Sequence, residues 1–322
     1  MSDLVVVFGG SGFVGKQVVR ALAKAGKRVR VAMRRPHLGH ELRVMGDVGQ
    51  IQLVQANVRF PESVARALEG ADAAVNLVGV LHESGKQNFE ALHVAAARTI
   101  AEAAADAGIA RLAHVSAIGA DAKGARYARS KYRGERAVLE KLPSATILRP
   151  SIIFGPEDNF FNRFANMAKF APALPLIGGG KTRFQPVFVG DVAAAVAEAL
   201  DRPDARGRTY ELGGPQVYSF KQLLQFVTRE SNRAVPLLDL PFVFAYPLGL
   251  LLGWGFKLIP FAPPPLTGDQ VAMLRRDNVV GAGAPTIQDL GVSQLESIEA
   301  IVPTYLWRFR PHGQFQAKRN PA

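Results

Sequence analysis

The sequence predicts an α/β fold, a doubly wound parallel sheet joined to a smaller, mostly C-terminal α/β lobe. Three observations predict it. Short apolar runs alternate with helix-spaced segments up to Pro150. The runs are almost continuously apolar, as strands covered on both faces must be. Past Pro150 the alternation loosens and proline and glycine become common. Right-handed crossovers turn such alternation into a sheet with helices on both faces.

The elements follow in order. "LVVVF" (4–8) reads as the first strand and "FVGKQVVRALAKAG" (13–26) as the helix after it, ending on a glycine. "RVRVAM" (28–33), "IQLVQ" (51–55), "AAVNLV" (73–78), "LAHVS" (112–116) and "ATILRP" (145–150) read as further strands. "PESVARALEG" (61–70), "FEALHVAAARTIAEAAADAG" (89–108) and "YARSKYRGERAVLEKL" (127–142) have helical spacing. In the second half, Ser219 with Gln222, Thr267 with Gln270 and Ser293 with Glu296 each fit a capping box. Phe220, Leu223, Leu224 and Val227 then mark one apolar helix face.

Composition bounds the chemistry. With no cysteine, thiolate nucleophiles, disulfides and cysteine-ligated zinc or iron–sulfur clusters are excluded. Redox chemistry must therefore use an organic cofactor or another subunit. The six histidines form no ligand set with a convincing carboxylate, so no metal site is expected. The net charge is +12, with nine Lys or Arg and a single acid, Glu41, between Lys16 and Arg43. Such a balance favours anionic partners: phosphates, acidic lipid surfaces or acidic protein faces. No stripe of basic and aromatic residues suggests a nucleic-acid module. The opening residues lead directly into a strand and a Gly-rich turn, so no secretory leader is expected.

"FGGSGFVG" lies between the first strand and the first helix, with Gly9, Gly12 and Gly15 at G-x-x-G-x-x-G spacing. The chain must turn sharply there, admit a diphosphate to bare backbone and pack the helix close to the sheet. Ser11, Phe13 and Val14 are expected to contribute through their amides. The second strand ends in Arg34 and Arg35 instead of the acid that grips an unmodified ribose, so guanidinium groups select a 2′-phosphate and the expected cofactor is NADP(H). Asn57 and Val58 after the third strand, with Leu77, Val78 and Gly79 after the fourth, are placed to flank adenine and ribose. The fold expected is thus Rossmann-type. Residues 1–150 form the dinucleotide-binding domain and 151–310 the C-terminal lobe, with about 184–200 packing back on the first domain. Residues 311–322 form a basic tail.

Over nearly its whole length the chain resembles the extended short-chain dehydrogenase/reductases. The resemblance rests on the glycine spacing, Tyr127-x-x-x-Lys131, "RPSIIFGP" (149–156), "FQPVFVGDVAAAV" (184–196) and "YELGGPQVYSF" (210–220). A narrower resemblance rests on "FGPEDNFFNRFANMAKFAPALPLIGGGKTRFQPVFVGDV" (154–192) and "LPFVFAYPLGLLLGWGFKLIPFAPPPLTGDQVAML" (240–274). It is to the nucleotide-binding accessory subunit of respiratory complex I (NADH:ubiquinone oxidoreductase) and its bacterial relatives. That resemblance implies an NADPH held without turnover and a place among other complex I subunits on the peripheral arm, near the membrane and within reach of anionic lipid. In a bacterium this is the cytoplasmic side of the inner membrane, peripherally bound. It also implies that Pro150 and Ile153 line the cofactor.

In active relatives the tyrosine exchanges a proton with the substrate, the lysine lowers its pKa from ~10 and binds the nicotinamide ribose, and a serine orients the carbonyl. Tyr127, Lys131 and Ser116 match these places. The relay asparagine of the family is matched by His93, which either substitutes for it or, as its place on a helix near the sheet favours, is a packed, hydrogen-bonded core residue. Two readings stay open: a cofactor clamp, or the acid–base pair of an NADP-dependent reductase, epimerase or dehydratase.

Between Leu240 and Gly268 the only charge is Lys257. Pro241, Pro247 and Pro260 with Gly249, Gly253 and Gly255 interrupt the ~20 apolar residues that a membrane-spanning helix needs, so no span is expected. Besides an ordinary core helix, the segment suits the wall of an apolar pocket, the membrane interface with Trp254 and Tyr246 at headgroup depth, or a face buried by a partner.

Overall fold

A computed structural model describes residues 3–255 and 267–315. Its strands are β1 (Leu4–Phe8), β2 (Arg28–Met33), β3 (Ile51–Gln55), β4 (Ala73–Asn76), β5 (Leu112–Val115), β6 (Thr146–Pro150), β7 (Ile153–Phe154), β8 (Leu174–Ile177), β9 (Arg183–Phe184), β10 (Val187–Phe188), β11 (Thr209–Leu212), β12 (Tyr218–Ser219) and β13 (Leu237–Leu240). Its helices are α1 (Phe13–Lys24), α2 (His40–Arg43), α3 (Pro61–Leu68), α4 (Ala96–Asp106), α5 (Arg126–Lys141), α6 (Phe161–Phe170), α7 (Val189–Asp201), α8 (Phe220–Glu230), α9 (Phe242–Gly255), α10 (Gly268–Met273), α11 (Ile298–Ile301) and α12 (Pro303–Leu306). Two compact units divide them. The first runs to Pro150 and takes in Val189–Leu212 and Val280–Leu295; the second comprises Ser151–Phe188, Gly213–Val279 and the chain from Glu296.

The first unit is a seven-stranded parallel sheet in the order β11-β6-β5-β4-β1-β2-β3. The six strands expected from the sequence are all present and β11 extends the sheet beyond β6. β1 is buried along its whole length, which is why its sequence shows no polar alternation. Phe8, Val64, Leu68, Ile100, Leu112 and Ile147 are among the side chains of the core under α3 and α4. On the other side α7 packs against α1.

Two elements depart from the sequence reading, each for a local reason. The fourth strand stops at Asn76, two residues early, because the Asn76 Oδ1 accepts the N–H of Val78 at 3.0 Å and turns the chain out of the sheet. The long helix expected over 89–108 opens with a π-helical turn, Glu90–Ala95, before α4. Gly134 of α5 faces that widened turn so closely that a Cβ there would lie 2.2 Å from the His93 carbonyl oxygen.

In the second unit, β8 pairs with β13 and β7 with β10 in parallel, while β9 and β12 run antiparallel. Phe154, Phe161, Phe220, Leu224, Ile298 and Tyr305 belong to its core. The boxes at Ser219–Gln222 and Thr267–Gln270 are formed, and the expected apolar face of α8 is buried. The box at Ser293–Glu296 is not. Helix α11 starts later, with the Ser297 hydroxyl accepting from the Ala300 N–H at 3.3 Å, so the serine adjoining the helix takes the cap.

Helix α9 carries most of the apolar stretch. Ala245 and Gly249 are buried, whereas Val243 is 77%, Phe244 65% and Leu251 71% exposed. Gly249 lets α9 approach the start of α10, since a Cβ there would lie 2.9 Å from the Gly268 nitrogen. The Arg275 guanidinium lies over the rings of Phe242 and Tyr246, at 5.4 and 5.9 Å. Among the described residues no helix is long and apolar enough to cross a membrane. The Trp254 side chain, Lys257 and Pro260 lie outside the described residues.

Candidate cofactor site

The glycine loop closes tightly between β1 and α1. Gly9 has φ +84°, a conformation open to glycine, and the Gly12 N–H donates to its carbonyl at 3.1 Å. A Cβ on Gly15 would stand 2.2 Å from the Gly9 oxygen and 2.6 Å from two Gly10 backbone atoms, so the helix can sit this close only without one. At Gly10, a Cβ would strike Val31 Cγ1 at 2.7 Å. Gly12 is the N-cap of α1; no side chain caps the helix and no acid stands in its first turn. Ser11 and Gly12 are exposed, with Phe13 and Val14 half-buried behind them. The loop is therefore a concave run of backbone backed by a helix N-terminus, which attracts an anion.

Beside it, the β4 end is fastened by side chains. The Asn76 Oδ1 is taken by Val78, which orients the amide so that Nδ2 donates to His114 Nδ1 at 3.0 Å. Burial, and then the Lys131 charge, hold His114 neutral, its pKa lowered to about 3. Leu77 and Val78 carry the chain past Gly9 to the exposed Gly79.

A second fastening involves His93. The Val80 N–H donates to His93 Nε2 at 3.0 Å, so that nitrogen is the acceptor. His93 Nδ1 then carries the proton and donates to Ser130 Oγ at 2.8 Å, and Ser130 donates to the Tyr127 carbonyl oxygen at 2.7 Å. Phe89 stacks on the imidazole and the half-buried Tyr127 ring meets it edge-on, with centroids 5.2 and 5.5 Å apart. His93 is 2% exposed; burial and the Lys131 charge lower its pKa to about 3. It is the packed, hydrogen-bonded residue expected from the sequence.

Lys131 lies beneath the same segment, buried, and its ammonium donates to the Val115 carbonyl at 3.2 Å. A Cβ on Gly79 would come within 3.2 Å of Lys131 Nζ, so the glycine leaves the ammonium open on that side. Burial lowers the lysine to about 8, against the opposing pull of Glu135. The Ser116 side chain is buried, and its hydroxyl has no hydrogen-bond partner among the described residues. An orphaned hydroxyl in this position is costly unless a bound group satisfies it.

Past the ends of β2 and β3 opens a cleft of ≈ 480 Å³, lined by Arg34, Gln55, Ala56, Asn57, Phe60, Glu62, Ser63 and Arg66. Arg34 is on its wall and Arg35 is not. Asn57 is held there by its N–H donating to Ser63 Oγ at 3.0 Å and by its Oδ1 accepting from Arg59 N–H at 3.2 Å. Val58 and Val78 pack against the core, leaving their backbone to the site. Pro150 ends β6, and Ile153 belongs to β7 in the second unit. Sequence reasoning missed Gly10, Asn76, His114, Ser130, Ser63 and Arg66. Among these, Gly10 had a signal in the doubled glycine of "FGGSG"; the others become site residues only through contacts distant in sequence.

These residues fit a dinucleotide. The loop supplies amides for a diphosphate, a buried hydroxyl awaits a partner, and an ammonium adjoins an open glycine. Among the described residues no three His, Asp or Glu side chains converge as metal ligands.

Comparisons with known proteins agree with this geometry. Residues 5–213 match the model of the NAD dependent epimerase/dehydratase family. The mitochondrial NADH dehydrogenase [ubiquinone] 1 alpha subcomplex subunit 9 of Rattus norvegicus is 37% identical over 94% of this chain and 81% of its own length. The ceramide reductase of Caulobacter vibrioides is 33% identical over 62% of each chain. The structure of UDP-glucose 4-epimerase from Thermus thermophilus, solved in complex with NAD, shares the fold with a TM-score of 0.69 at 19% identity, over 96% of this chain and 99% of that one.

Proposed function

The chain belongs to the NAD dependent epimerase/dehydratase family, and from that premise we propose that it is an NADP(H)-holding accessory subunit of a respiratory NADH:ubiquinone oxidoreductase. In this reading the dinucleotide is a fixed part of the subunit. Gly9, Gly12 and Gly15 with the amides of Ser11, Phe13 and Val14 hold the diphosphate. Arg34 selects the phosphorylated ribose, Asn57 with the backbone of Val58 and Leu77 to Gly79 borders the adenosine half, and Lys131 with Ser116 and Tyr127 grips the nicotinamide half. When bound, the cofactor brings a hydride donor or acceptor; the chain's own groups supply binding and orientation.

The observation that carries this reading is His93. Where active relatives are expected to have a polar relay residue, this chain has a neutral imidazole whose two nitrogens are both spent inside the protein. It braces the site and offers no route for a proton. The docking reading draws support from α9, whose exposed apolar side chains suit an apolar face of a partner subunit, and from the relatives named as complex I subunits. A net charge of +12 supports a peripheral place beside an anionic membrane face, on the cytoplasmic side in a bacterium. Native purification after gentle lysis tests the proposal. NADPH should copurify, unoxidised by added small carbonyl compounds, with the subunit migrating in a large membrane-associated assembly. A soluble monomer that turns NADPH over would overturn it.

A second reading is an NADP-dependent reductase acting on an apolar carbonyl. It is supported by the relative named ceramide reductase and by the Tyr127-x-x-x-Lys131 spacing on α5, with Ser116 directly after β5. There, Tyr127→Phe should abolish turnover while NADPH still binds; absence of turnover by the unmodified chain on apolar ketones counts against it.

A further inference from the structure

We propose that Arg66, on α3, is a second guanidinium for the 2′-phosphate, lining with Arg34 the cleft at the β2 and β3 ends, and that Arg35 takes no part. The inference rests on the dinucleotide reading above and assigns the residues that set its preference for NADPH over NADH.

The sequence of α3 explains how Arg66 comes to be there. Val64, Ala67 and Leu68 are buried against the sheet, which turns Ser63 and Arg66, three residues apart on the same helix, to the other face. Arg34 and Arg66 are both exposed and line the cleft. Neither makes a hydrogen bond or ion pair with its side chain among the described residues. Other guanidinium groups behave otherwise: Arg30 donates to the Ala67 and Glu69 carbonyls, and Arg133 is bidentate on Glu90. Two unpaired cations sharing a cleft wall suit a dianion, and a phosphomonoester carries close to two charges at neutral pH. Ser63 adds a third donor. Its oxygen accepts the Asn57 N–H, leaving its own proton to give. Glu62 is the one acid on the wall, so the two guanidiniums leave the cleft net positive. A ribose carrying only hydroxyls gives these cations nothing to pair with.

The test uses the full chain and measures NADPH and NADH affinity by fluorescence titration, for wild type and for Arg34→Ala, Arg66→Ala and Arg35→Ala. Charge-assisted hydrogen bonds lost at a phosphate predict that Arg66→Ala and Arg34→Ala each weaken NADPH by roughly 10- to 100-fold. NADH affinity should fall far less than NADPH affinity in both, circular dichroism should show both variants folded, and Arg35→Ala should bind both dinucleotides like wild type. A competition arm with 2′-AMP against 5′-AMP isolates the same phosphate and should lose its 2′ preference in Arg66→Ala. If Arg66→Ala changes NADPH no more than NADH, or Arg35→Ala matches Arg34→Ala, the assignment is wrong although the dinucleotide reading survives. If wild type binds neither dinucleotide, the reading beneath it fails as well.

Discussion

His93 and His114 should make this fold acid-sensitive well above the pH at which carboxylates titrate. Each is buried and neutral, with a folded-state pKa of about 3 against 6.5 for a free imidazole. Their hydrogen bonds require opposite tautomers. The Val80 amide points at the Nε2 of His93, and the Asn76 amide at the Nδ1 of His114. A histidine with a depressed folded pKa contributes stability that is complete above the unfolded pKa and is lost as pH falls toward the folded one. From about a unit below 6.5 the unfolded chain therefore binds close to two more protons than the native one, and stability falls by ~2.7 kcal/mol per pH unit. Between pH 6.5 and 5 the loss integrates to ~3 kcal/mol, a large part of the ~5–15 kcal/mol that holds a typical domain together. Urea unfolding at a series of pH values, with the slope read at constant m, measures it directly. Long-range ¹H–¹⁵N spectra of the imidazoles give the residue-specific check: His93 protonated at Nδ1, His114 at Nε2, and neither titrating in that window. A slope below ~1 kcal/mol per pH unit, or a His93 resonance that titrates near the free value, would refute the argument.

Three further outcomes are expected, the first from a pair of glycine variants. Gly15→Ala sets a methyl against Gly9 and Gly10 backbone atoms that no rotamer change can relieve; α1 must move, costing ~1–3 kcal/mol in thermal unfolding and most of the dinucleotide affinity. Gly12→Ala, whose Cβ would stand an ordinary 3.5 Å from Gly9, should unfold like wild type yet bind the dinucleotide less well, because its methyl covers the exposed loop; equal unfolding temperatures for the two variants would contradict this. Lys131, lowered to about 8, should lose its charge as pH rises through that value, so dinucleotide affinity should decline between neutral pH and strongly alkaline conditions, and a flat profile in isothermal titration would dismiss the contact. Leu251→Asp on the exposed face of α9 should leave stability within ~0.5 kcal/mol of wild type while removing the subunit from its assembly on native gels.

Periodicity and loop rules made the sheet legible. Strands buried on both faces advertise themselves as apolar runs, and a glycine loop between strand and helix has few other uses. What stayed hidden depended on partners far apart in the chain. The stop at Asn76 comes from its own side chain, which is also committed to His114, 38 residues away. The capping-box rule singled out Ser293 with Glu296, yet the helix starts later and Ser297, which lacks the box partner, takes the cap. "VAMRRP" offered two arginines without distinguishing them, since the cleft that separates Arg34 from Arg35 is made partly by α3.

The same limit explains why "YARSK" could not by itself decide between a clamp and a working base. A tyrosine four residues before a lysine defines a helix face; it does not define which groups carry protons to it. The imidazoles of His93, beside Gly79, and of His114, on Asn76, are held neutral, while Lys131 is brought to about 8. A change of charge near neutrality therefore falls on the lysine, which adjoins Gly79 and the Val115 carbonyl, and is withheld from His93. The π-helical turn that delivers His93 to Val80 is itself matched by Gly134 on α5, the helix that carries Tyr127, Ser130 and Lys131. A glycine shaped to this turn, and a histidine with both nitrogens committed, bind the two helices and the β4 loop into one rigid cradle. In the proposed reading, such a cradle serves to keep a cofactor in place.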